Sequence, residues 1–218
     1  MKWLYGDSWE RFPIEQGEVW GLANGSKVAV HNLFDPLPAF MHADLLFVDP
    51  PWNLGNLNSF YTKADRTDKQ TDFSHFADVL FQRIGEVGAQ TAYIEIGNQA
   101  VEDWLEQLRR QFRHVQRWPV TYYRKHPTNL IRGSNLEPTS YDYAGLDEAL
   151  CVDIIAREER YHVIADPCMG RGAVGMAAHM VGKPFVGCEL NKRRLAVLLD
   201  RLAKAGAAIT RLEQEAQP

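Results

Sequence analysis

An unbroken apolar run, Leu45-Leu46-Phe47-Val48, ends abruptly at Asp49-Pro50-Pro51-Trp52. The run is short and β-prone, and two prolines stop it, which is typical of a strand buried on both faces of a parallel sheet. Open α/β sheets bind ligands outside the carboxyl edge of their strands. The run therefore predicts an α/β fold in which one carboxylate, two rigid residues and one large aromatic side chain stand where a ligand would bind.

The composition is that of an ordinary globular chain. With 218 residues, 45% hydrophobic and 24% charged, the sequence predicts a single domain, 1–218, with a full core. No apolar stretch has the length of a membrane span, and the N-terminus lacks the apolar segment of a signal peptide, so we expect a cytoplasmic protein. Three scattered cysteines and seven dispersed histidines argue against a disulfide framework and against a metal site.

Turn signals and periodicity divide the chain into alternating strands and helices. Asn24-Gly25 between β-prone runs at 18–22 and 27–31 predicts a hairpin, which closes an N-terminal arm and hairpin over 1–26. Periodicity predicts helices at 73–87, 101–112, 147–156 and 192–204. Strands are expected at 44–48, 91–96 and 118–123. Loops are expected at 53–69 and 126–146, and a frayed tail after 204.

The C-terminal quarter predicts a βαβ unit. A strand at 161–165 leads into the turn Asp166-Pro167-Cys168-Met169-Gly170-Arg171-Gly172, a helix of small residues at 173–181, and a strand at 183–188 that ends in Glu189. Glycines at a strand-to-helix turn let the backbone approach a ligand, and a carboxylate after the next strand suits the ribose hydroxyls of an adenosine-containing cofactor. The glycines do not follow GxGxxG, so a pyrophosphate is not indicated. A structural turn with an exposed glutamate is the alternative.

Together the two motifs resemble those of S-adenosylmethionine-dependent amino-methyltransferases, which act on adenine or cytosine in nucleic acid. In that family the cofactor motif is Asp-Pro-Phe-x-Gly-x-Gly followed by Gly-x-Glu, which the turn 166–172 and Gly187-Cys188-Glu189 match. The catalytic motif precedes the cofactor motif, an order similar to the permuted β-class of DNA methyltransferases. The resemblance covers about 27–204. It implies a Rossmann-like class I methyltransferase fold, with a mixed, mostly parallel sheet and helices on both faces.

The resemblance implies S-adenosylmethionine as the cofactor and assigns residues to it. Glu189 would hold the ribose. Asn32, at the end of the strand before the catalytic one, is a candidate for the adenine edge, with a loop cap as an equal alternative. The remaining contacts would come from Asp49, Asp166, Pro167, Cys168, Gly170, Gly172 and Asn191. Cys168 stands where the family tolerates phenylalanine, so we do not expect it to act as a thiolate nucleophile.

The implied catalytic residues are Asp49, Pro50, Pro51 and Trp52. The exocyclic amine of adenine is a poor nucleophile because its lone pair is delocalised into the ring. Asp49 and the Pro50 carbonyl would accept its two N–H groups, so that the lone pair points at the methyl group without any covalent intermediate. The target base must leave the stack, and Trp52 would offer it a stacking surface.

Departures from the family pattern shape the expected substrate. Trp52 replaces the commoner tyrosine, and Asp-Pro-Pro-Trp also occurs in enzymes that methylate adenine in RNA. Aspartate at the first motif position favours adenine over cytosine. The segment 124–146 is short for a target-recognition domain, which implies a relaxed recognition sequence or help from a second subunit in a homodimer. The expected function is adenine-N6 methylation of DNA, as in restriction-modification. RNA adenine-N6 methylation, DNA cytosine-N4 methylation and a non-catalytic nucleic-acid-binding role are the alternatives.

A local basic surface is expected despite the net charge of −4. No acidic residue occurs from 107 to 136, where arginine and lysine are frequent, and such a surface can neutralise phosphates. A solvated helix face is the alternative. The residues expected to face nucleic acid are Asn53, Lys63, Arg66, Tyr122, Arg124, Lys125 and Arg132.

Overall fold

A computed structural model of the chain describes residues 5–212. The start of the expected N-terminal arm, 1–4, and the end of the expected tail, 213–218, lie outside them. The helices are α1 Ser8–Arg11, α2 Leu54–Lys63, α3 Phe73–Val87, α4 Val101–Gln111, α5 Glu148–Glu158, α6 Ala173–Met180 and α7 Lys192–Lys204. The strands are β1 Val19–Leu22, β2 Lys27–Val30, β3 Leu45–Val48, β4 Thr91–Ile96, β5 His114–Tyr122, β6 His126–Ser134, β7 Ile164–Asp166, β8 Phe185–Glu189 and β9 Ile209–Leu212.

All these strands join one mixed sheet in the order β5-β6-β4-β3-β7-β8-β2-β1-β9. The central strands β4, β3, β7, β8 and β2 run parallel. Antiparallel strands extend both sides, with β6 and β5 beyond β4, and β1 and β9 beyond β2. The expected mixed α/β sheet is thus observed, with its parallel part in the middle.

Strand β3 shows why the sheet needs helices on both faces. Leu45 and Phe47 belong to a core with α5, α6 and α7, whereas Leu46 and Val48 belong to a core with α2, α3 and α4. Successive side chains of a strand point to opposite faces, so an unbroken apolar run must be covered twice. Burial of each such side chain contributes about 1.5–3 kcal/mol. Among residues 5–212, none of these helices combines the length and the apolar content that crossing a membrane requires.

The expected loop at 53–69 is wrong in its first half, because Leu54–Lys63 forms α2. The Asn53 side chain caps this helix by accepting a hydrogen bond from the Asn56 N–H at 2.9 Å. Leu57 and Tyr61, one turn apart, are both buried. Two buried residues in a polar segment were too weak a periodic signal to predict the helix.

The expected loop at 126–146 is also wrong in part, because His126–Ser134 forms β6 and pairs with β5 as a long hairpin. The turn between them places Tyr123 at φ 50° and Arg124 at φ 57°. Tight hairpin turns with two left-handed residues normally contain asparagine or glycine, and neither occurs here, so local sequence could not indicate this hairpin. Of the expected loop, only 135–146 lies outside helices and strands.

The expected frayed tail is corrected at 209–212, which forms β9 and pairs antiparallel with β1. Trp20 lies opposite Arg211, and Leu22 opposite Ile209. The β1–β2 hairpin at Asn24-Gly25 is observed as expected. The N-terminal hairpin therefore continues the sheet and gives the C-terminal strand an edge to pair with.

Candidate active site

A cavity of about 530 Å³ lies at the carboxyl edge of the parallel strands. The chain leaves β3 toward β4 on one side and leaves β7 toward β8 on the other, so the cavity lies at the topological switch point between β3 and β7. Its charged and amide lining includes Asn32, Asp49, Glu148, Asp166, Glu189 and Arg194. The two sequence motifs are therefore brought together around one cavity.

Asp49 is the carboxylate that β3 delivers to the cavity. Its Oδ1 accepts a hydrogen bond from Trp52 Nε1 at 3.0 Å, and it receives no other side-chain bond from residues 5–212. Burial raises the pKa of Asp49 to about 7, while the Trp52 hydrogen bond and the nearby Arg194 charge lower it. Near neutral pH this carboxylate is therefore poised between its ionised, accepting form and its neutral form.

Glu95, at the end of the neighbouring strand β4, is a second buried acid beside Asp49. Burial, and then the charges of Asp49 and Glu148, raise the pKa of Glu95. Its Oε1 accepts a hydrogen bond from Thr128 Oγ1 at 2.9 Å. Glu95 is thus the better proton holder of the pair, which leaves the negative charge to Asp49.

Trp52 contacts the site indirectly. Its indole packs edge-on against Tyr122, with ring centroids 5.1 Å apart, and its ring lies 3.3 Å from where a Cβ on Gly97 would stand. The cavity wall itself is formed by Tyr122, Tyr123 and Pro51. Trp52 therefore holds Asp49 and supports an aromatic wall, and Tyr122 is better placed than Trp52 to touch a ligand.

The turn after β7 brings the backbone close to Glu189. Gly170, at φ 55°, donates its N–H to Glu189 Oε2 at 2.7 Å. Gly172 has a different role, because a Cβ there would lie 2.4 Å from a methyl carbon of Leu198 in α7. Gly170 and the flanking Pro167, Cys168 and Met169 line the cavity, whereas Gly172 allows close helix packing, which corrects its expected ligand contact.

Asp166 and Glu189 are buried carboxylates at the ends of β7 and β8. Burial raises the pKa of both groups. Arg194 and the backbone N–H groups of Asn191 and Gly170 oppose this for Glu189. Backbone donors hold Glu189 in place at one side of the cavity, which is the geometry that a carboxylate needs to receive hydroxyl groups.

Asn32, two residues after β2 ends at Val30, lines the cavity, and its expected contact with an adenine edge stays a prediction. Its Oδ1 accepts hydrogen bonds from Tyr61 Oη at 2.9 Å and from the Phe34 N–H at 3.3 Å. The residue is therefore a loop cap, and it also ties α2 to the sheet. Its amide Nδ2 donates no hydrogen bond to residues 5–212.

Asn191 does not line the cavity, which corrects its expected cofactor contact. It caps α7, since its Oδ1 accepts from the Arg193 N–H at 3.0 Å. Its Nδ2 donates to the Lys63 carbonyl at 2.7 Å and to Tyr5 Oη at 3.2 Å. The Oδ1 is thus used in capping α7, and the Nδ2 joins α7 to α2 and the N-terminal segment.

The pKa values of the three thiols are raised, whereas a nucleophilic cysteine has a lowered pKa. Burial raises the pKa of Cys168 well above its usual value, and the carboxylates Asp166 and Glu189 raise it further. Burial also raises the pKa of Cys188, and that of Cys151 to about 12. These surroundings disfavour the thiolate form of all three groups, and the expectation that Cys168 is not a nucleophile stays a prediction.

The residues expected to face nucleic acid fall in different places. Lys63 and Tyr122 line the cavity, and Arg124 and Lys125 are exposed in the β5–β6 turn at its rim. Asn53 caps α2. Arg66 pairs with Asp68 at 2.6 Å. Lys63, Tyr122, Arg124 and Lys125 thus lie at the cavity or its rim, and the expected contacts of these residues, of Asn53 and of Arg66 with nucleic acid stay predictions.

Arg132 is a clear correction, because its side chain is buried inside the protein. The residue is 2% exposed, and its Nε lies 3.4 Å from Glu159 Oε1. The guanidinium carbon lies 5.6 Å from the ring centroid of Tyr93. Arg132 points from β6 into the core beneath α5, so it holds structure together and does not meet a phosphate.

Glu148, Phe60 and Arg194 line the cavity but were not among the site residues assigned from the sequence. Burial and the charges of Asp49 and Asp147 raise the pKa of Glu148 to about 8. Glu148 begins α5, where an acid is common for helix stability alone. Its place near Asp49 depends on tertiary packing that no local pattern reveals.

Comparison with solved structures shows the same fold in two proteins. M1.HpyAVI aligns over 80% of this chain and 97% of its own, with a TM-score of 0.54 and 14% identity. TTHA0409 from Thermus thermophilus, assigned as a DNA modification methylase, aligns over 81% and 94%, with a TM-score of 0.55 and 15% identity. Both were also solved with S-adenosylmethionine.

At these identities the likeness shows a shared fold, and it confirms the expected Rossmann-like α/β class. The sequence matches no family model and no curated protein. The activity must therefore be argued from the site.

Proposed function

We propose that the protein is an S-adenosylmethionine-dependent DNA methyltransferase that acts on the exocyclic N6 of adenine. The observation that carries the proposal is the juxtaposition of Asp49 with the turn 166–172 and Glu189 around one cavity. A relative of the fold that is assigned as a DNA modification methylase, and is known with S-adenosylmethionine bound, supports it.

The residues around the cavity fit the methyl donor. Glu189 presents a buried carboxylate, held by the Gly170 and Asn191 N–H groups, that can receive the ribose hydroxyls. Gly170 leaves the backbone open toward the cavity, with no atom closer than 3.8 Å to the place of a Cβ. Asn32 offers its amide donor to an adenine edge. The fit rests on donors and acceptors of this chain, which match a nucleoside with an amino-acid tail.

When bound, S-adenosylmethionine supplies an electrophilic methyl group on a sulfonium. Asp49 Oδ2 and the Pro50 carbonyl accept the two N–H groups of the target amine and turn its lone pair toward that methyl group. Transfer of the methyl group would leave the amine with one proton to lose, and Asp49 or water would accept that proton. Trp52 keeps Asp49 ionised and oriented, because its N–H stabilises the charged carboxylate.

The target base enters the cavity between aromatic walls. Tyr122 and Tyr123 form one side, and Tyr123 is 71% exposed at the mouth. Unpaired bases stack readily on such rings, so a base turned out of a duplex can be held there. Left-handed φ angles at Tyr123 and Arg124 are uncommon for such residues, and strained backbone of this kind clusters at functional sites.

The proposal is tested by the product. The protein is incubated with radiolabelled S-adenosylmethionine and either DNA or RNA, the polymer is digested, and the methylated nucleoside is identified. We expect N6-methyldeoxyadenosine from DNA with the native chain and none with Asp49→Ala. N4-methyldeoxycytidine would instead identify cytosine in DNA as the substrate, and N6-methyladenosine from RNA alone would identify adenine in RNA. No product despite cofactor binding would favour a non-catalytic binding role.

A further inference from the structure

Three consecutive cations, Lys192, Arg193 and Arg194, occupy the first turn of α7, which contains no acidic residue. The positive end of a helix dipole disfavours cations, so each needs an anion nearby. Lys192 pairs with Glu15 at 2.7 Å, and Arg193 pairs with Asp65 at 3.1 Å. Arg194 makes neither an ion pair nor a hydrogen bond with any side chain of residues 5–212, and its guanidinium lines the cavity.

Arg194 shares its corner of the cavity with a second cation. Its Cζ lies 4.9 Å from the ring centroid of Phe60, and Lys63 Nζ lies 5.1 Å from the same centroid. Burial and then the charge of Arg194 lower the pKa of Lys63. Two like charges around one ring in a half-buried corner repel each other, and an anion placed between them relieves the repulsion.

The two cations are held together by the scaffold. Arg194 is in the first turn of α7, and Lys63 is the last residue of α2. Asn191 caps α7 and donates its Nδ2 to the Lys63 carbonyl at 2.7 Å. This bond fixes the two helix ends to each other, so the pair of cations is preorganised and does not depend on a chance meeting of long side chains.

The position of the pair restricts which anion it can take. A Cβ on Gly170 would lie 3.8 Å from Arg194 Nη1, so the guanidinium faces the turn after β7. The cavity lining also contains Asp49, Asp166 and Glu189, whose carboxylates repel an anion when they are ionised, and the charge of Arg194 acts on Asp49 and Glu189. Arg171 and Arg201 also line the cavity, but Lys63 and Arg194 share the Phe60 ring, so an anion is favoured at the corner that these two cations form.

We propose that Lys63 and Arg194 form the subsite for the carboxylate of the methyl donor's amino-acid tail, and so select S-adenosylmethionine over sulfonium nucleosides without that carboxylate. The inference rests on the proposed function, and S-adenosylmethionine contains one carboxylate and no other anionic group. It moves Lys63 from its expected contact with nucleic acid to the cofactor.

The test compares two ligands that differ only in the carboxylate. Isothermal titration calorimetry measures the binding of S-adenosylmethionine and of decarboxylated S-adenosylmethionine to the native chain, Arg194→Gln, Arg194→Lys and Lys63→Gln. Arg193→Gln is the matched control, because it removes an adjacent cation from the same helical turn. Melting temperatures show which variants are folded.

For the native chain we expect S-adenosylmethionine to bind more tightly than the decarboxylated ligand. Arg194→Gln should weaken S-adenosylmethionine by about 10- to 100-fold, as for a lost charge-assisted hydrogen bond. It should change the decarboxylated ligand less than about threefold. Arg194→Lys should fall between the two, because it retains the charge without the planar fork. Arg193→Gln should match the native chain.

If Arg194→Gln weakened the binding of both ligands equally, the subsite would be overturned. Arg194 would then affect binding without contacting the carboxylate, through its effect on the other charged groups of the cavity. Unchanged S-adenosylmethionine binding by Lys63→Gln, together with weaker binding of a DNA duplex, would return Lys63 to a phosphate contact and also overturn it. If the native chain binds neither ligand, the proposed function itself fails, and the two failures are thereby distinguished.

Discussion

Replacing Trp52 by phenylalanine isolates the role of one hydrogen bond. The substitution retains an aromatic ring against Tyr122 but removes the N–H that donates to Asp49 Oδ1 at 3.0 Å. This bond stabilises the ionised carboxylate, so its loss should raise the pKa of Asp49. The catalytic form of Asp49 is the ionised one, and the methylation rate should therefore fall at low pH and recover at high pH.

The size of the shift follows from the environment of the bond. A hydrogen bond to a charged group contributes about 1.5–3 kcal/mol, and 1.36 kcal/mol corresponds to one pKa unit. Asp49 is half-buried, so we take the lower end, an upward shift of about 1 unit from a pKa of about 7. At pH 7 the ionised fraction, and with it the rate, should drop by roughly fivefold.

The assay is single-turnover methyl transfer to DNA, measured from about pH 5.5 to about 9.5. This range covers the pKa of Asp49 in the native chain, about 7, and the higher value expected in the variant. The midpoint of the acidic limb should move upward while the high-pH plateau stays near the native value. Tyr122→Phe is the control, since it changes the same aromatic pair without touching the bond to Asp49. A uniformly lower plateau with an unmoved midpoint would refute the reasoning and favour Trp52 as a stacking surface.

Three further predictions concern the cofactor, the fold and the nucleic acid. Glu189→Ala should weaken S-adenosylmethionine by about 10- to 100-fold in calorimetry, and an unchanged affinity would contradict the ribose contact. Gly172→Ala should cost about 2–4 kcal/mol in urea unfolding, because it adds overlap with α7 to a left-handed backbone. Gly182→Ala, which shares the left-handed backbone but meets nothing within 4 Å, should cost only about 1–2 kcal/mol; equal costs would contradict the packing argument. Charge reversal at Arg124 and Lys125 should weaken DNA binding and lower the salt slope by about 1 per lost phosphate contact, and unchanged binding would exclude this turn from the DNA surface.

The parallel centre of the fold could be predicted because its signals are local. The run at 45–48 is apolar on both faces, and the βαβ unit ending at Glu189 carries its own turn residues. Helices α3 and α7 have the predicted bounds, 73–87 and 192–204. The periodicity or the turn residues of each of these elements predict it from local sequence alone, and tertiary packing does not change the outcome.

The outer hairpin and α2 could not be predicted, since their signals are tertiary. The β5–β6 turn uses Tyr123 and Arg124 at left-handed angles where asparagine and glycine are usual. Helix α2 is mostly polar, and Tyr61 is buried through its bond to Asn32, which comes from a distant strand. Local propensity carries no information about either contact.

The candidate site divides along the same line. Asp49, Asp166 and Glu189 follow strands, so the rule that ligands bind at the carboxyl edge located them. Charge counting misplaced Arg132, which is buried, because a basic stretch of sequence says nothing about which side of a strand faces the core. Arg194 was visible only as part of a charged helix turn, and its role depends on the elements that meet it.

The most direct test of the account is a crystal structure with S-adenosylhomocysteine bound. The account predicts the ribose hydroxyls on Glu189, the amino-acid tail between the turn at Gly170 and Arg194, and the sulfur facing the cavity wall that contains Asp49. A nucleoside bound outside this cavity, or one whose sulfur faces away from Asp49, would contradict the claim that these carboxylates serve one methyl transfer.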